Sequence, residues 1–248
     1  MTGQPASVVD TPAAVSDLVD QLKDASNNPP SLYLDLEGIN LSRHGSISIM
    51  QIFVLPKNEV FLVDIFTLGQ QAFSTLSRSG TTLKAILEDA SIHKAFFDVR
   101  NDSDALYAQF GIHLAGIVDI QLFELATRGG PRRLVNGLAR CIERDAGLSW
   151  TETAEWRNTK ENGRKLFAPE RGGSYEVFNA RPLSEDIIKY CAQDVRILPN
   201  LLTIYNSKLR GGWKEKIEAA TRDRIDVCLQ ARYTGVGRHM AQAPLGWA

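Results

Sequence analysis

The sequence predicts an α/β fold in which an antiparallel β-meander is followed by parallel strands, with helices flanking the sheet. Three apolar runs, SLYLDLEG, SISIMQIFVL and NEVFLVDIF, follow one another with short polar turns between them, which indicates antiparallel strands. Beyond them, strand-like and helix-like segments alternate, an order typical of parallel strands joined by crossover helices. A hydrophobic content of 44% in 248 residues is enough for one large domain or two small ones.

The first half of the chain supplies the strands. We expect a tail over residues 1–11 and then a helix over TPAAVSDLVDQLKDAS, in which Thr11 is placed to cap the first turn and Pro12 opens it. After the meander we expect a helical stretch over residues 69–89 and a short strand at HKAFFDV. NDSDALYAQFG predicts a helix that ends at Gly111, and AGIVDI predicts a further strand.

The second half is expected to be mainly helical. RRLVNGLARCIERDAG has a helical pattern, whereas residues 150–183 are polar and aromatic without a clear period, which predicts a long ordered loop. SEDIIKYCAQDVRILPNLLTIYNSKL predicts a long helix that Ser184 caps, and GGWKEKIEAATRDRIDVCLQARY predicts another.

Charge, cysteine content and hydropathy exclude several classes of protein. A net charge of -1 and a pI near 6.4 give no global attraction to nucleic acid, so a polyanion would have to be held by local positive charge. The three widely spaced cysteines, Cys141, Cys191 and Cys228, predict buried free thiols rather than a disulfide framework or a zinc cluster. With no apolar run of 18 residues and no signal-peptide pattern, we expect an intracellular protein, cytoplasmic or nuclear, without a membrane partner.

A pair of acidic residues ends the first strand of the meander. Asp35 and Glu37 are two positions apart, and because strand side chains alternate between faces, both carboxylates point the same way. Neighbouring carboxylates raise each other's pKa unless a cation lies between them, and oxygen ligands favour Mg²⁺ or Mn²⁺ over zinc. On the late helix, Tyr190 and Asp194 are one turn apart, so a phenol and a carboxylate project from the same face.

Each of these signals also has a purely structural explanation. An acidic residue at the end of a strand often caps a loop, and Tyr190 and Asp194 could simply pack together. Asp102 and Asp104 fall in the first turn of a helix, where the helix dipole favours acids without any function. Asp98 and Asp119 are further candidates for a metal shell, and the residue pattern alone leaves the choice among these acids open.

Three segments taken in order resemble the exonuclease motifs of the DEDD superfamily, in its tyrosine-bearing subgroup of RNase D, Werner-type and Egalitarian-like 3′-5′ exonucleases. They read DLEGINLSRHGSISIMQI, KAFFDVRNDSDAL and RPLSEDIIKYCAQDV, and the resemblance covers residues 12–205. It implies a ribonuclease H-like mixed sheet flanked by helices. We accordingly expect an exonuclease domain over residues 12–210 and a helical extension over residues 211–248, packed on or next to it.

The resemblance also implies a catalytic site that holds two divalent ions, Mg²⁺ or Mn²⁺. In this family one ion binds the attacking water and the other the leaving 3′ oxygen, and a tyrosine hydroxyl orients the water. The residues that match the four acidic ligands and the tyrosine are Asp35, Glu37, Asp102, Tyr190 and Asp194.

The same match leaves other acids outside the site. Asp98 and Asp104 become neighbours of Asp102, and Asp119 matches a structural acid that precedes a helix. The sequence departs from the family at Phe97, where relatives often have His. This apolar residue is expected to affect strand packing more than catalysis, because the position does not match a ligand.

Contacts to the end of a nucleic-acid strand are less well specified. The family places backbone contacts and an apolar wedge at Ile39, Asn40 and Leu41, although ordinary core packing explains Ile39 equally well. Phosphate binding and a solvated surface are equally consistent with a set of basic residues near the motifs: Arg43, His44, Arg132, Arg133, Arg157, Lys160, Arg164, Lys165, Arg171 and Arg181. Four aromatic residues are expected mainly to pin residues 150–183 rather than to stack on bases: Trp156, Phe167, Tyr175 and Phe178.

Three functions are consistent with these features. The first is a 3′-5′ exonuclease that releases nucleoside 5′-monophosphates from a single-stranded RNA or DNA. The second is a nucleic-acid-binding adaptor with the same fold and little or no catalysis, and the third is a phosphodiesterase for short oligonucleotides. The complete set of four acids and Tyr190 favours the first. Self-association or a protein partner through the C-terminal segment is a further expectation.

Overall fold

The computed structural model describes residues 5–23 and 30–247, and these form a mixed sheet with helices on both faces. The strand order is β1-β4-β3-β2-β5-β6. Strands β2 to β4 are an antiparallel meander, whereas β1 with β4, β2 with β5 and β5 with β6 are parallel pairs, so the predicted fold class is confirmed. The strands are β1 (Ser7–Val9), β2 (Leu32–Glu37), β3 (Ile49–Val54), β4 (Glu59–Asp64), β5 (Lys94–Phe96) and β6 (Ile117–Asp119).

The described residues form ten α-helices. They are α1 (Pro12–Leu22), α2 (Ile65–Leu68), α3 (Gln71–Ser74), α4 (Leu83–Glu88), α5 (Arg100–Phe110), α6 (Ile120–Thr127), α7 (Leu138–Asp145), α8 (Trp150–Phe167), α9 (Glu185–Lys208) and α10 (Trp213–Cys228). Thr11 and Ser184 cap α1 and α9 as predicted, and α9 continues through Pro199. The predicted end of the first helix, residues 24–26, lies outside the described residues. Among the helices of the described ranges, none is long and apolar enough to cross a membrane.

Two predictions for the first half of the chain are wrong in part. Residues 7–9 were expected in a tail, but they form the edge strand β1, in parallel register with residues 61–63. The helical stretch expected over residues 69–89 is helical only in α3 and α4, and residues 75–82 between them are not. Gly69 and Gly80 adopt positive φ angles of 53° and 77°, a conformation that ends helices and forms turns.

The loop expected over residues 150–183 is wrong for the first half of this segment, which the 18-residue helix α8 occupies. Ser149 Oγ accepts a hydrogen bond from the Glu152 backbone N–H at 3.2 Å, and the Glu152 carboxylate accepts one from the Ser149 N–H at 2.9 Å. This reciprocal capping box was readable as S-x-x-E. A helical period of apolar residues could not be read from the sequence, because the buried residues of α8 are Trp156 and Gly163. Two 3₁₀ turns follow the helix.

The alternation of side chains along β2 divides the core into two layers. Leu32, Leu34 and Leu36 join the layer formed with α1, α4 and α5. Tyr33 joins the opposite layer, which contains α7, α8 and the apolar stripe of α9. Because residues two apart in a strand share a face, Asp35 and Glu37 project toward α9.

Residues 211–247 are attached to the start of α5 by polar contacts. The Arg100 guanidinium donates to the Met240 carbonyl at 2.7 Å, the Tyr233 hydroxyl donates to Asn101 Oδ1 at 3.2 Å, and the Cys228 thiol donates to the Arg100 carbonyl at 3.1 Å. All three cysteines are free and buried, as predicted.

Candidate metal and nucleic-acid site

The four predicted acids and Tyr190 come from three elements that meet at the carboxyl end of β2. Asp35 and Glu37 end β2, Asp102 lies in the first turn of α5, and Tyr190 and Asp194 project from α9. The carboxylates are close enough to act on one another electrostatically: the charge of Asp194 raises the pKa of Asp35, and the charges of Asp35, Asp194 and Asp102 raise that of Glu37. The structure therefore brings together all five residues.

Desolvation raises the pKa of every acid in this cluster. Removal from bulk water raises the pKa of Asp35 to about 7, and the Asp194 charge adds to this effect. Desolvation and then the neighbouring Asp35 charge raise the pKa values of Glu37 and Asp102 well above their usual range. The pKa of Asp194 is raised by desolvation and is lowered in part by Lys160. The protein alone thus places carboxylates where their charges are costly.

Lys160 is a cation that faces this acidic cluster. Its Nζ lies 3.7 Å from Asp194 Oδ2, 5.9 Å from the centre of the Tyr190 ring and 5.3 Å from that of Trp156. Its charge lowers the pKa values of Asp35 and Asp194. The sequence marked Lys160 only as one of many basic residues, because α8 was not recognised as a helix. A single lysine leaves most of the negative charge of four carboxylates uncompensated.

Two oxygens of the cluster have the environment expected of metal ligands. Asp102 Oδ1 and Asp194 Oδ1 are shielded from solvent, and neither accepts a hydrogen bond from the protein. A buried carboxylate oxygen without a partner is costly, and a hard divalent cation would satisfy it. Because all the candidate ligands are carboxylates, the donor set suits Mg²⁺ or Mn²⁺.

A second group of ligand-type side chains does not fit a metal ion. Glu124, Cys141 and Asp145 each place one ligand atom within 4.8 Å of the others. However, Arg128 binds the Glu124 carboxylate through two nitrogens, and Asp145 accepts a hydrogen bond from the Tyr205 hydroxyl at 2.9 Å. Desolvation raises the pKa of Cys141 to about 12, so its thiol stays protonated near neutral pH. This group is a buried polar network that needs no ion.

Tyr190 is held in place by α8 and by the turn that follows it. The Phe167 ring lies 5.1 Å from the Tyr190 ring and also packs against Tyr175 and Phe178. With Trp156 and Phe178 buried, this aromatic group pins the segment 150–183, as the sequence analysis favoured. Desolvation raises the pKa of Tyr190 well above 10, so the phenol keeps its proton and can orient a water molecule, but it is a poor base.

A glycine in α8 makes this close packing possible, and the sequence analysis missed it. A Cβ at Gly163 would lie 2.6 to 2.8 Å from the Cδ2, Cγ and Cβ atoms of Tyr190. Such distances are too short for carbon atoms, so any side chain at this position must displace the tyrosine.

For the strand hydrolysis that is proposed below, replacing Gly163 with Ala is therefore expected to lower the rate more than the stability of the fold. Overpacking costs about 1–3 kcal/mol, of which the better helix propensity of Ala offsets about 1 kcal/mol. Displacement of a positioning hydroxyl by about 1 Å can cost roughly 10²-fold in rate. Turnover of a labelled oligonucleotide and thermal unfolding would measure both effects. Gly137→Ala is the control, since nothing lies within 4 Å of its added Cβ, and equal rates for both variants would contradict the prediction.

The other acids near Asp102 are bound by donors of the protein. Asp98 accepts two hydrogen bonds from Arg100 at 2.6 Å, and Asp104 accepts from the backbone N–H and the guanidinium of Arg43 at 2.7 Å. Asp119 accepts from the backbone N–H of Asp98 at 3.0 Å and from Arg224 at 2.6 Å. All three differ from Asp102, whose Oδ1 has no protein donor.

The structure changes the interpretation of two arginines predicted to contact nucleic acid. Besides Asp104, the Arg43 guanidinium donates to the carbonyls of Cys228 and Ala231. Arg181 is paired with the buried Asp64 and donates to nearby carbonyls. Their charges hold loops together and are not free for phosphate.

The other basic residues of the predicted set are divided between ion pairs and free surface positions. Arg157, Arg164 and Arg171 pair with Glu143, Glu170 and Glu161 respectively, and Arg132 donates to three carbonyls at the end of α6. Arg132 is thus engaged by the backbone, whereas phosphate binding by the three arginines in exposed ion pairs stays a prediction. Arg133 is exposed and lines a pocket that is described below. No side-chain ion pair within the described ranges involves His44 or Lys165.

The loop after β2 is compact where the terminal base was expected to be bound. The Ile39 carbonyl accepts from the Ser46 N–H at 2.9 Å, and Asn40 has a left-handed φ of 48°. Leu41 packs partly against the first core layer. A Cβ at Gly38 would lie 1.9 Å from the Ser46 carbonyl oxygen, so only glycine allows this closure.

Comparison with known proteins gives consistent similarities. A family model described as a 3′-5′ exonuclease matches residues 6–210. The mouse piRNA biogenesis protein EXD1 is 32% identical over 172 residues, which are 65% of this chain and 26% of that protein; for human EXD1 the values are 30% over 167 residues, 65% and 29%. The chain thus spans less than a third of the length of these curated relatives.

Solved structures show the same fold. RNase D of Trypanosoma brucei in complex with RNA U12 has a TM-score of 0.75 and 25% identity, over 98% of this chain and 77% of that chain. Brucella melitensis NrnC with bound Mg²⁺ has a TM-score of 0.56 and 22% identity, over 88% of this chain and 95% of that chain.

Proposed function

Since the chain belongs to the 3′-5′ exonuclease domain family of the DEDD superfamily, whose model matches residues 6–210, we propose that it hydrolyses nucleic acid from the 3′ end. In this proposal two divalent ions, Mg²⁺ or Mn²⁺, are required, the substrate is a single-stranded RNA or DNA, and nucleoside 5′-monophosphates are released. The observation that carries the proposal is the convergence of Asp35, Glu37, Asp102 and Asp194 around a desolvated site beside Tyr190.

The charge of the site supports hydrolysis of a phosphodiester. Asp35, Glu37, Asp102 and Asp194 would hold the two ions, which when bound would neutralise the phosphate and lower the pKa of water. The Tyr190 hydroxyl, which keeps its proton, would orient the water by a hydrogen bond. Lys160 adds a positive charge beside Asp194.

The proposal is tested by incubating 5′-labelled single-stranded RNA and DNA with the protein and Mn²⁺, with EDTA as the metal-free reference. We expect stepwise shortening from the 3′ end that stops with EDTA and in the Asp35→Ala variant. A 3′-labelled strand should release labelled mononucleotide first. Shortening that persists in EDTA or in Asp35→Ala, or no shortening at all, would contradict the proposed chemistry.

One observation also favours a second candidate, a nucleic-acid-binding adaptor with little catalysis. Lys160 lies 3.7 Å from Asp194 and could neutralise part of the acidic cluster without a metal. The two functions differ in the effect that Mn²⁺ has on the labelled strand. An adaptor would bind the labelled strand equally well with and without Mn²⁺ and would leave its length unchanged.

The raised pKa values predict that divalent ions stabilise the protein more at high pH. The pKa of Asp35 is about 7 in the folded protein, whereas an unfolded Asp titrates near 3.9. The folded state binds the extra proton between these values, so in the metal-free protein this contribution to stability is complete below about pH 4 and is lost as the pH rises to about 7.

Because an ion needs ionised carboxylates, it binds more tightly as the pH rises through about 7. Added Mn²⁺ should therefore raise the melting temperature more at about pH 8 than at about pH 5.5. Thermal unfolding at both pH values measures this difference. The Asp35→Asn variant should show a smaller difference, and an equal Mn²⁺ effect at both pH values would rule out binding to this cluster.

A further inference from the structure

A pocket rich in arginine lies away from the acidic cluster. It has a volume of about 600 Å³ and is formed by the loop between α6 and α7 and by one face of α7. Its basic residues are Arg128, Arg133, Arg140 and Arg144, and none of the described residues that line it is acidic. We refer to it as the arginine pocket.

Most of the positive charge in the arginine pocket is uncompensated. Arg128 is paired with the buried Glu124 and forms one wall. Arg144 lies 3.9 Å from Asp145 and is 46% exposed, so this pair is weak. Arg133 and Arg140 are exposed, and within the described part of the chain no acceptor binds either guanidinium. Since Arg140 and Arg144 repel each other one helical turn apart, an anion between them would be stabilised.

The C-terminal segment braces the loop that carries Arg133. The Val135 N–H donates to the Ala241 carbonyl at 2.9 Å, and the Ala243 N–H donates to the Arg133 carbonyl at 3.0 Å. Arg132, which precedes it, lies 5.1 Å from the Trp213 ring of α10. Residues 213–243 lie beyond the part of the chain that the exonuclease family model matches. This part of the chain therefore preorganises the pocket, which lowers the entropy cost of binding.

The arginine pocket and the acidic cluster lie on the same face of the sheet. Ile120 of α6 and Cys141 and Ile142 of α7 belong to the core layer that contains Tyr33 and Tyr190. Strand β6 is two strands from β2, about 10 Å away, and α6 runs about 12 Å from the end of β6 to Arg128. These two legs limit the separation between the pocket and the carboxylates to about 22 Å, so a single strand of several nucleotides can reach from one to the other.

We propose that the arginine pocket binds backbone phosphates of the substrate strand several nucleotides upstream of its 3′ end. The proposal rests on the proposed exonuclease function and adds a second anchor for the same strand. It supplies the local positive charge that the overall charge of -1 lacks. Phosphate contacts of this kind position a strand without reading its bases.

The test compares the variant Arg133→Ala/Arg140→Ala with the control Lys57→Ala/Arg78→Ala. Both remove two exposed positive charges, and the control residues lie elsewhere on the surface, beside Gln21 and Asp17. Fluorescence anisotropy without divalent ions measures the affinity for a single-stranded RNA of about a dozen nucleotides and for a trinucleotide, over a range of salt concentrations. Thermal unfolding checks that both variants are folded.

We expect the pocket variant to bind the longer RNA about tenfold more weakly, with a salt slope smaller by about 1.4, which corresponds to two lost phosphate contacts. Its trinucleotide affinity and both affinities of the control should stay within about twofold of the original protein. An unchanged salt slope, or an equal loss for the trinucleotide, would overturn the proposal. The exonuclease proposal is judged separately, by whether the original protein shortens either RNA when Mn²⁺ is added.

Discussion

Replacing Asp102 with Asn is expected to lower the rate of 3′-end shortening by at least about 10³-fold. The change removes one anionic ligand from the proposed ion site, and ligand charge of this kind contributes several kcal/mol, with each 1.36 kcal/mol equal to a factor of about ten. The metal-free fold should be as stable as before or more stable, because the buried Asp102 charge lies beside Asp35 and its Oδ1 has no protein donor.

Asp104 provides a matched control on the same helix. Its carboxylate is 1% exposed and is bound by Arg43 at 2.7 Å. Asp104→Asn is expected to lower the free energy of unfolding by about 2–3 kcal/mol, since a buried ion pair loses one charge. Below its melting temperature this variant should still shorten a strand when Mn²⁺ is present.

The pair of variants separates a ligand from a structural acid. Shortening assays and chemical denaturation on Asp102→Asn and Asp104→Asn should give opposite patterns, one inactive and stable, the other active and less stable. If Asp104→Asn were the inactive and stable variant, the ligand assignment in the second motif would be wrong by two residues.

Strand alternation made part of the candidate site predictable from the sequence. The D-x-E spacing at Asp35 and Glu37 requires both side chains to share a face, and the i, i+4 spacing of Tyr190 and Asp194 does the same on a helix. The convergence of these faces depends on sheet order, which came from the resemblance to a family and not from local pattern. The antiparallel meander could be predicted from local pattern alone, because each of its strand pairings joins two segments that follow each other in the sequence.

The missed features depend on contacts between distant parts of the chain. Strand β1 has only three residues, and its identity as a strand depends on pairing with β4. Helix α8 buries little more than Trp156 and Gly163, so it carries no apolar stripe, and its capping box was the readable signal. Lys160 and Gly163 act on the site only because α8 packs against α9.

The role of the C-terminal helix was likewise invisible in the sequence, and it centres on Arg224. The Arg224 guanidinium donates to Asp119 at 2.6 Å and to Gln121 at 2.8 Å, and it lies 3.5 Å from Asp98. Asp119 is fully buried and in turn accepts from the backbone N–H groups of Asp98 and Val99, which precede the helix of Asp102. Through these contacts α10 fixes the start of α5 and hence the position of the second motif.

Arg224→Ala is therefore expected to lower the free energy of unfolding by about 3–5 kcal/mol, because Asp119 would be left as a buried charge without its cation. For a chain of this size the melting temperature should fall by roughly 10 °C. Arg222→Ala is the matched control: Arg222 is exposed on the same helix, and its loss should change stability by less than about 0.5 kcal/mol. Thermal and urea unfolding of both variants measures the difference in stability. A double-mutant cycle that combines Arg224→Ala with Asp119→Asn should give a coupling energy between these two residues of about 1 kcal/mol or more. Equal melting temperatures for the two arginine variants would show that the buried network does not hold the fold.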